Sequence, residues 1–268
     1  MRIGLITPDP GHPLLAATAA LLAVRHEVDV LHPGAGAAAA AGASADVYLL
    51  KARTPAALEL ARELERGGAP VVNSAAATER CQDRAGMAAL ALEAGLPFAA
   101  TRTFASLALL ESAADPGWPL VVKSRRSRKD DLVVRLDGPD GLRELAPRWG
   151  AEPVVVQPFA PNSGWDHKLW VVGDRVFAGL RRSELADGAP RPPRGRERLP
   201  DGWAELALRV GRVFGLDVYG VDVIAEDGGG PLIVDVNAFP GIRGQAGAPE
   251  ALAALALRRA AAARQRGR

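Results

Sequence analysis

Cysteine is almost missing from this 268-residue chain: Cys81 stands alone. An intrachain disulfide is therefore excluded, and a reducing, cytoplasmic setting is expected. The four histidines, His12, His26, His32 and His167, show no metal-ligand spacing. Long apolar runs are also lacking. None approaches the ~18 residues of a membrane span. The opening MRIGLIT has no apolar core or cleavage pattern of a signal peptide, so no membrane partner is expected. Excess charge of one sign is absent too. The formal net charge is +2, which gives no bias toward nucleic acid or another polyanion. Lysine is scarce: of 33 cationic residues only Lys51, Lys123, Lys129 and Lys168 are lysines. A lysine in a strand therefore marks a place where a compact ammonium is wanted.

What remains is ordinary globular material, 48% hydrophobic and 24% charged, enough for one large or two to three small domains. Residues 1–72 alternate strand-like runs (3–7, 28–31, 47–50, 70–72) with helix-like ones (13–24, 55–66). That order predicts a small parallel, doubly wound domain. A helix is expected over 78–94, stopped by Gly95 and Pro97. Runs 119–124 and 132–136 read as paired strands around the charged loop SRRSRKDD. A helix at 141–149, strands at 153–159, 168–172 and 175–180, and helices at 203–214 and 250–263 follow. The alanine-rich stretch 35–45 reads as helix or loop. The Pro/Arg-rich segment 186–200 reads as a mobile loop and the terminal RQRGR as disordered.

The richest stretch is GVDVIAEDGGGPLIVDVNAFPG, residues 220–241. Apolar runs 221–225 and 231–236 flank a polar, glycine-rich turn, the pattern of a β-hairpin. Asp235 and Asn237 stand two apart, so both side chains point to one face. Asp222, on the partner strand, is placed to face them. Their neighbours are Val, Ile and Leu, so carboxylates would sit on a half-buried sheet, where unpaired charge is costly. A hard divalent cation such as magnesium satisfies oxygens of this kind. Phe239-Pro240-Gly241 then turns the chain sharply.

In order, the chain carries Arg84 on a helix, Val121-Val122-Lys123 at a strand end, Gln157-Pro158-Phe159 and Asp166-x-Lys168. Arg181-Arg182, Gly-Val-Asp222 and Asp235-Val-Asn237-x-Phe-Pro-Gly follow. The ordered set resembles the ATP-grasp superfamily over roughly residues 73–245, and the segment before it resembles that family's pre-ATP domain. The resemblance implies an α/β (α+β) ATP-grasp fold. Residues 1–73 would be a Rossmann-like pre-ATP domain, 74–150 a central lid subdomain, and 151–268 a C-terminal subdomain holding the metal. It implies Lys123 on the α- and β-phosphates of ATP, with Arg84 as a second phosphate-facing cation. Gln157 and Phe159 would hold adenine at the hinge, and the Phe159 N–H would donate because Pro158 has none. Asp166, Lys168, Arg181 and Arg182 would line the meeting point of γ-phosphate and acceptor, where cations neutralise developing charge. Asp222, Asp235 and Asn237 would be the metal ligands, for two magnesium ions, with manganese as a substitute.

One departure stands out. Where relatives often carry a Gly-rich lid, residues 124–131 have no glycine. Arg125, Arg126, Arg128 and Lys129 either reach over phosphate or form a solvated charge run. The overall pattern resembles the RimK-type glutamate ligases and glutathione synthetase relatives. That implies carboxylate–amine ligation through an acyl phosphate, with small-molecule or peptide substrates. Gln-x-Phe and Asp-Val-Asn-x-Phe-Pro-Gly also resemble the inositol polyphosphate kinases of the superfamily, where Arg125, Arg126, Arg191, Arg194 and Arg196 would suit a phosphorylated acceptor. A non-catalytic nucleotide-binding relative is the third reading; the full metal set argues against it. Relatives are often dimers or tetramers, so a homo-oligomer is one implied state. The ligase reading is preferred.

Overall fold

The computed structural model describes residues 1–35, 44–113, 117–186, 199–226 and 230–266. Most of the alanine-rich stretch and of the Pro/Arg-rich segment lies outside them. Strand β1 (Arg2–Ile6) is buried at every position after Arg2, as a strand covered on both faces must be. Helix α1 (Pro13–Ala23) starts on a proline, and the His12 ring accepts the Leu14 N–H. Strand β2 (Glu27–Leu31) takes the sheet edge, and β3 (Val47–Leu50) is wholly buried. Thr54 caps α2 (Pro55–Arg66) through the Ala57 N–H. Strand β4 (Val71–Val72) completes a parallel sheet in the order β2-β1-β3-β4.

The single helix expected over 78–94 is two. Helix α3 (Ala75–Arg80) stops at Cys81, and α4 (Arg84–Glu93) restarts with the Asp83 carboxylate accepting the Ala85 N–H. Asp83 leaves the helical conformation to make this cap and to form a β-bridge with Arg126. Strand β5 (Arg102–Phe104) and the short helix α5 (Leu107–Glu111) have no counterpart in the sequence reading. Strands β6 (Leu120–Ser124) and β7 (Val133–Leu136), helix α6 (Pro139–Trp149) and strand β8 (Val154–Pro158) follow. The second sheet is antiparallel, ordered β5-β8-β6-β7. Val122 and Val156 pack with Leu110 and Leu142 on one face. Alternation turns Val121 and Lys123 to the other.

The third sheet is built from β9 (Trp165–Val172), β10 (Arg175–Arg182), β11 (Val218–Ala225) and β12 (Pro231–Ala238), with helix α7 (Trp203–Phe214) before its last two strands. Its order is β10-β9-β11-β12, all antiparallel. Helices α4 and α7 cover one face, placing Met87, Val210 and Phe214 against Val221 and Ile233. Helix α8 (Ala248–Arg266) returns to the first sheet, where Leu252 and Leu255 join Ile3 and Leu15. Disorder was expected from residue 264; instead the helix runs to Arg266, and Arg264 bonds both Asp46 carboxylate oxygens at 2.9 Å. No helix among the described residues is long and apolar enough to cross a membrane.

The hairpin forms as expected, with one irregularity. Asp222 pairs with Asp235, but Val223 pairs with Ile233, so Val234 is the extra residue of a bulge. Ile233 and Val236 therefore both turn into the core, fully buried. Val234 and Asp235 line the opposite face together.

One buried side chain bolts the first sheet to the third. Asn73, 1% exposed, donates to the Val218 carbonyl at 2.6 Å and accepts the N–H groups of Asp217 and Val218 at 2.8 and 2.9 Å. Asn73→Ala strands one acceptor and two donors. It is expected to lower the unfolding free energy by about 3 kcal/mol, measured by urea denaturation; a change under about 0.5 kcal/mol contradicts the role.

Candidate active site

Lys123 comes from the second sheet, and its ammonium is buried. It donates to the Val234 carbonyl across the gap at 2.9 Å, so the bulge residue supplies the acceptor. Burial lowers the pKa of this ammonium; Asp235 opposes the shift and Arg84 adds to it. On the third sheet Lys168 sits opposite Asp222, with Nζ 2.6 Å from Asp222 Oδ2 and 3.9 Å from Asp166. The Asp222 carboxyl is held above the usual carboxylate range. Burial is the main cause, Lys168 counteracts it, and the nearby Asp235 and Asp166 reinforce it. Asn237 Nδ2 donates to Asp235 Oδ2 at 3.3 Å, while Asp235 Oδ1 accepts its neighbour's N–H, that of Val236, at 3.1 Å.

These groups border two cavities. The first, about 220 Å³, lies between the second and third sheets. Arg84, Lys123, Gln157, Phe159, Asp166, Lys168, Arg181, Asp222 and Asp235 all line it, with Val121, Ile224, Leu232 and Val234 as apolar walls. The second, about 490 Å³, lies against the first sheet, beside Leu50 and Lys51, and is lined by Asn237. Lys168, Arg181 and Asp222 belong to both, so the two cavities share a wall. Arg182 lines neither; on β10 it pairs with Trp165, while Arg181 pairs with Asp166.

Several expected residues are placed as read but engaged differently. The Phe159 N–H already donates to the Pro119 carbonyl at 3.0 Å. It is therefore not the free purine donor that was expected. Phe159 instead offers its ring, under the Arg135 guanidinium at 4.1 Å. Gln157 is pinned by donating to Thr101 Oγ1 at 3.0 Å. Arg84 opens α4 and is buried. It donates to the Ser124 carbonyl at 2.8 Å and to Asp131 at 2.6 Å, while its Nε has no hydrogen-bond partner among the described residues. The basic loop does not reach over either cavity: it is a largely exposed charge run whose arginines pair with neighbouring carboxylates. Arg125 is bidentate to Asp83 at 3.0 Å, Arg126 is 3.7 Å from Asp83, and Arg128 meets Glu152 at 2.6 Å.

The site also draws on residues that sequence reasoning did not find. Lys51 and Arg53, just past β3, line the second cavity. The rarity of lysine was the available signal for Lys51, but nothing local ties residue 51 to residues 168–241. Cys81 is buried, and burial pushes its thiol up to about 12, which makes it inert as a nucleophile.

The oxygen set suits a hard cation. Among the described residues no group of three His, Cys, Asp or Glu side chains stands together as a metal site, so the third protein ligand would be the Asn237 amide. Two crowded carboxylates, one of them held protonation-prone by burial and by its neighbours, are what a divalent cation would relieve.

Comparison with known proteins bears on the family and the fold. The "Probable alpha-L-glutamate ligase 2" of Hahella chejuensis is 29% identical over 202 residues, 68% of this chain and 63% of the relative. The "Ribosomal protein bS6--L-glutamate ligase" of Escherichia coli is 29% identical over 193 residues, 68% of this chain and 64% of the relative. The chain thus spans less than two thirds of the length of these relatives. The crystal structure of a RimK domain ATP-grasp protein from Sphaerobacter thermophilus superposes with a TM-score of 0.79. It is 24% identical and covers 96% of this chain and 100% of that one, a likeness of fold. Residues 108–250, more than half of the chain, match the RimK-like ATP-grasp domain family. The chain belongs to the RimK-like ATP-grasp family.

Proposed function

We propose that this protein is an ATP-dependent carboxylate–amine ligase. The observation that carries the reading is one cleft lined from two sheets, with the Lys123 ammonium on one side and Asp222 and Asp235 on the other. Its wall of Lys168, Arg181 and Asp222 opens onto a second, larger cavity. A nucleotide in the first cavity would present its terminal phosphate to an acceptor in the second.

Lys123 and Arg84 would neutralise the phosphates, the latter after giving up part of its hold on Asp131. The Phe159 ring and the apolar strand residues would flank the purine, with Gln157 held in place by Thr101. An acceptor carboxylate oxygen attacks the γ-phosphorus and ADP leaves. The acyl phosphate then loses inorganic phosphate as the amine attacks its carbonyl carbon. Lys168 and Arg181 stand where negative charge grows in both steps, and Asp166 orients Lys168. Arg182 has no place in this scheme, because it lines neither cavity. Asp222, Asp235 and Asn237 would hold magnesium, with manganese as a substitute; when bound, the ion screens phosphate charge and aligns the γ-phosphorus. The names of the relatives favour an amino acid as the amine and a small-molecule, peptide or protein carboxylate as the acceptor. The inert lone thiol fits a cytoplasmic setting.

A kinase has weaker support. Asp83 holds Arg125 and is 3.7 Å from Arg126, and Arg191, Arg194 and Arg196 lie outside the described residues. With ATP, magnesium and a competent acceptor, hydroxylamine in place of the amine should yield a hydroxamate, with ADP and free phosphate in equal amounts. A phosphorylated product without free phosphate would establish the kinase instead.

Asp235→Asn should lower ATP turnover by about a hundredfold or more while circular dichroism stays unchanged. Turnover within twofold of wild type removes the metal assignment. Lys123→Met should raise the KM for ATP about tenfold and also reduce kcat; steady-state kinetics indistinguishable from wild type exclude its phosphate role.

A further inference from the structure

Thr101 lines neither cavity, yet a chain of hydrogen bonds runs through it into the wall of the first. Its hydroxyl donates to the Ala99 carbonyl at 2.8 Å, and Gln157 Nε2 donates to Thr101 Oγ1 at 3.0 Å. The fold sets both anchors. The Ala99 N–H bonds the Ile233 carbonyl of β12 at 3.0 Å. Arg102 of β5 pairs with Val156 of β8, which brings Thr101 beside Gln157. A carbonyl only accepts, so the single hydroxyl proton of Thr101 goes to Ala99. Thr101 Oγ1 then has only lone pairs to offer, and the Gln157 group that meets it must be the NH2. Reversing the amide would set two oxygens against each other or strip the buried Ala99 of its donor.

The Gln157 carboxamide therefore has one polarity, with Oε1 turned away from Thr101. Gln157 is 5% exposed and lines the first cavity. Among the described residues its Oε1 accepts no hydrogen bond, and it is not sealed from the cavity. The next two residues add no donor beside it. Pro158 has no N–H, and the Phe159 N–H is spent on the Pro119 carbonyl.

We propose that Thr101 is a positioning residue that sets the base preference of the nucleotide site. It holds the Gln157 carbonyl oxygen toward the ligand. That oxygen selects a base with a donor at the 6-position, the amino group of adenine, over one with a carbonyl there, as in guanine and hypoxanthine. A 6-oxo base would bring oxygen against Oε1 and leave two buried acceptors unpaired. Thr101 lies outside the residues matched to the family, 108–250, so control of the amide comes from the segment that joins α4 to β5. The inference rests on the reading of the first cavity as the nucleotide site. Thr101 touches no ligand; it acts through Gln157.

The test is calorimetric titration of the intact protein with ADP and with inosine diphosphate, each with magnesium. Inosine diphosphate carries the 6-oxo group without the 2-amino group of guanine, so it isolates the 6-position. ADP should bind at least about tenfold more tightly. Thr101→Val keeps the size of the side chain and removes the hydroxyl, which frees the amide to turn. It should cut the preference to about twofold or less, chiefly by weakening ADP. Thr101→Ser keeps the hydroxyl and should retain most of the preference. Thr101→Ala carries the same comparison should Thr101→Val fail to fold. Equal binding of the two nucleotides by the wild type, or a preference that survives loss of the hydroxyl, overturns the proposal. So does loss of affinity for both in equal proportion, which would mark Thr101 as structural only. The two readings fail separately: binding of neither nucleotide sinks the nucleotide site, whereas ADP bound no better than inosine diphosphate sinks only the role of Thr101.

Discussion

A single extra residue in strand β12 governs what the cleft can be. Without the bulge at Val234, strict alternation would put Ile233, Asp235 and Asn237 on one face. The insertion instead lets Ile233 and Val236 both fill the core, while Asp235 faces Asp222. It also frees the Val234 carbonyl for the Lys123 ammonium, which reaches it from another sheet at 2.9 Å. A buried ammonium with one neutral acceptor is costly. What offsets the cost is the nearby negative charge of Asp235 and Asp222. The same two carboxylates crowd each other. Nucleotide phosphates and a divalent cation would relieve both sides together.

The first sheet is fixed to the third. Asn73 fixes it to β11 through three hydrogen bonds, and α8 returns from the far end of the chain to complete its core. Lys51 is then set over the turn that ends β12, bonded to the Phe239 carbonyl. The turn follows the end of β12, one residue after Asn237, so the first sheet and the strand carrying Asp235 and Asn237 are positioned together. The basic loop is likewise tied down. Arg84 and Asp83, at the start of α4, hold Asp131 and Arg125 at the two ends of the basic loop.

Much of this was legible in the sequence. Period-two spacing placed Asp235 and Asn237 on one face, and the resemblance to ATP-grasp proteins singled out Lys123, Gln157 and Phe159, which all line the first cavity. Helices 55–66 and 203–214 were read to the residue. The misreadings share a cause. The break between α3 and α4, the ion pairs of the basic loop, the use of the Phe159 N–H by Pro119 and the entry of Lys51 into the second cavity all depend on partners distant in the chain. Local propensity and periodicity carry no information on such partners. Arg181 and Arg182 show the limit within one dipeptide: both end the same strand, and only pairing with β9 decides which one lines the cavities.

The most direct test is a crystal structure with ADP and magnesium. The account predicts the nucleotide between the second and third sheets, the ion on Asp235 and Asn237, and the Lys123 ammonium moved from the Val234 carbonyl to a phosphate oxygen. Nucleotide bound elsewhere, with Lys123 still on Val234 and no ion at Asp235, would contradict it.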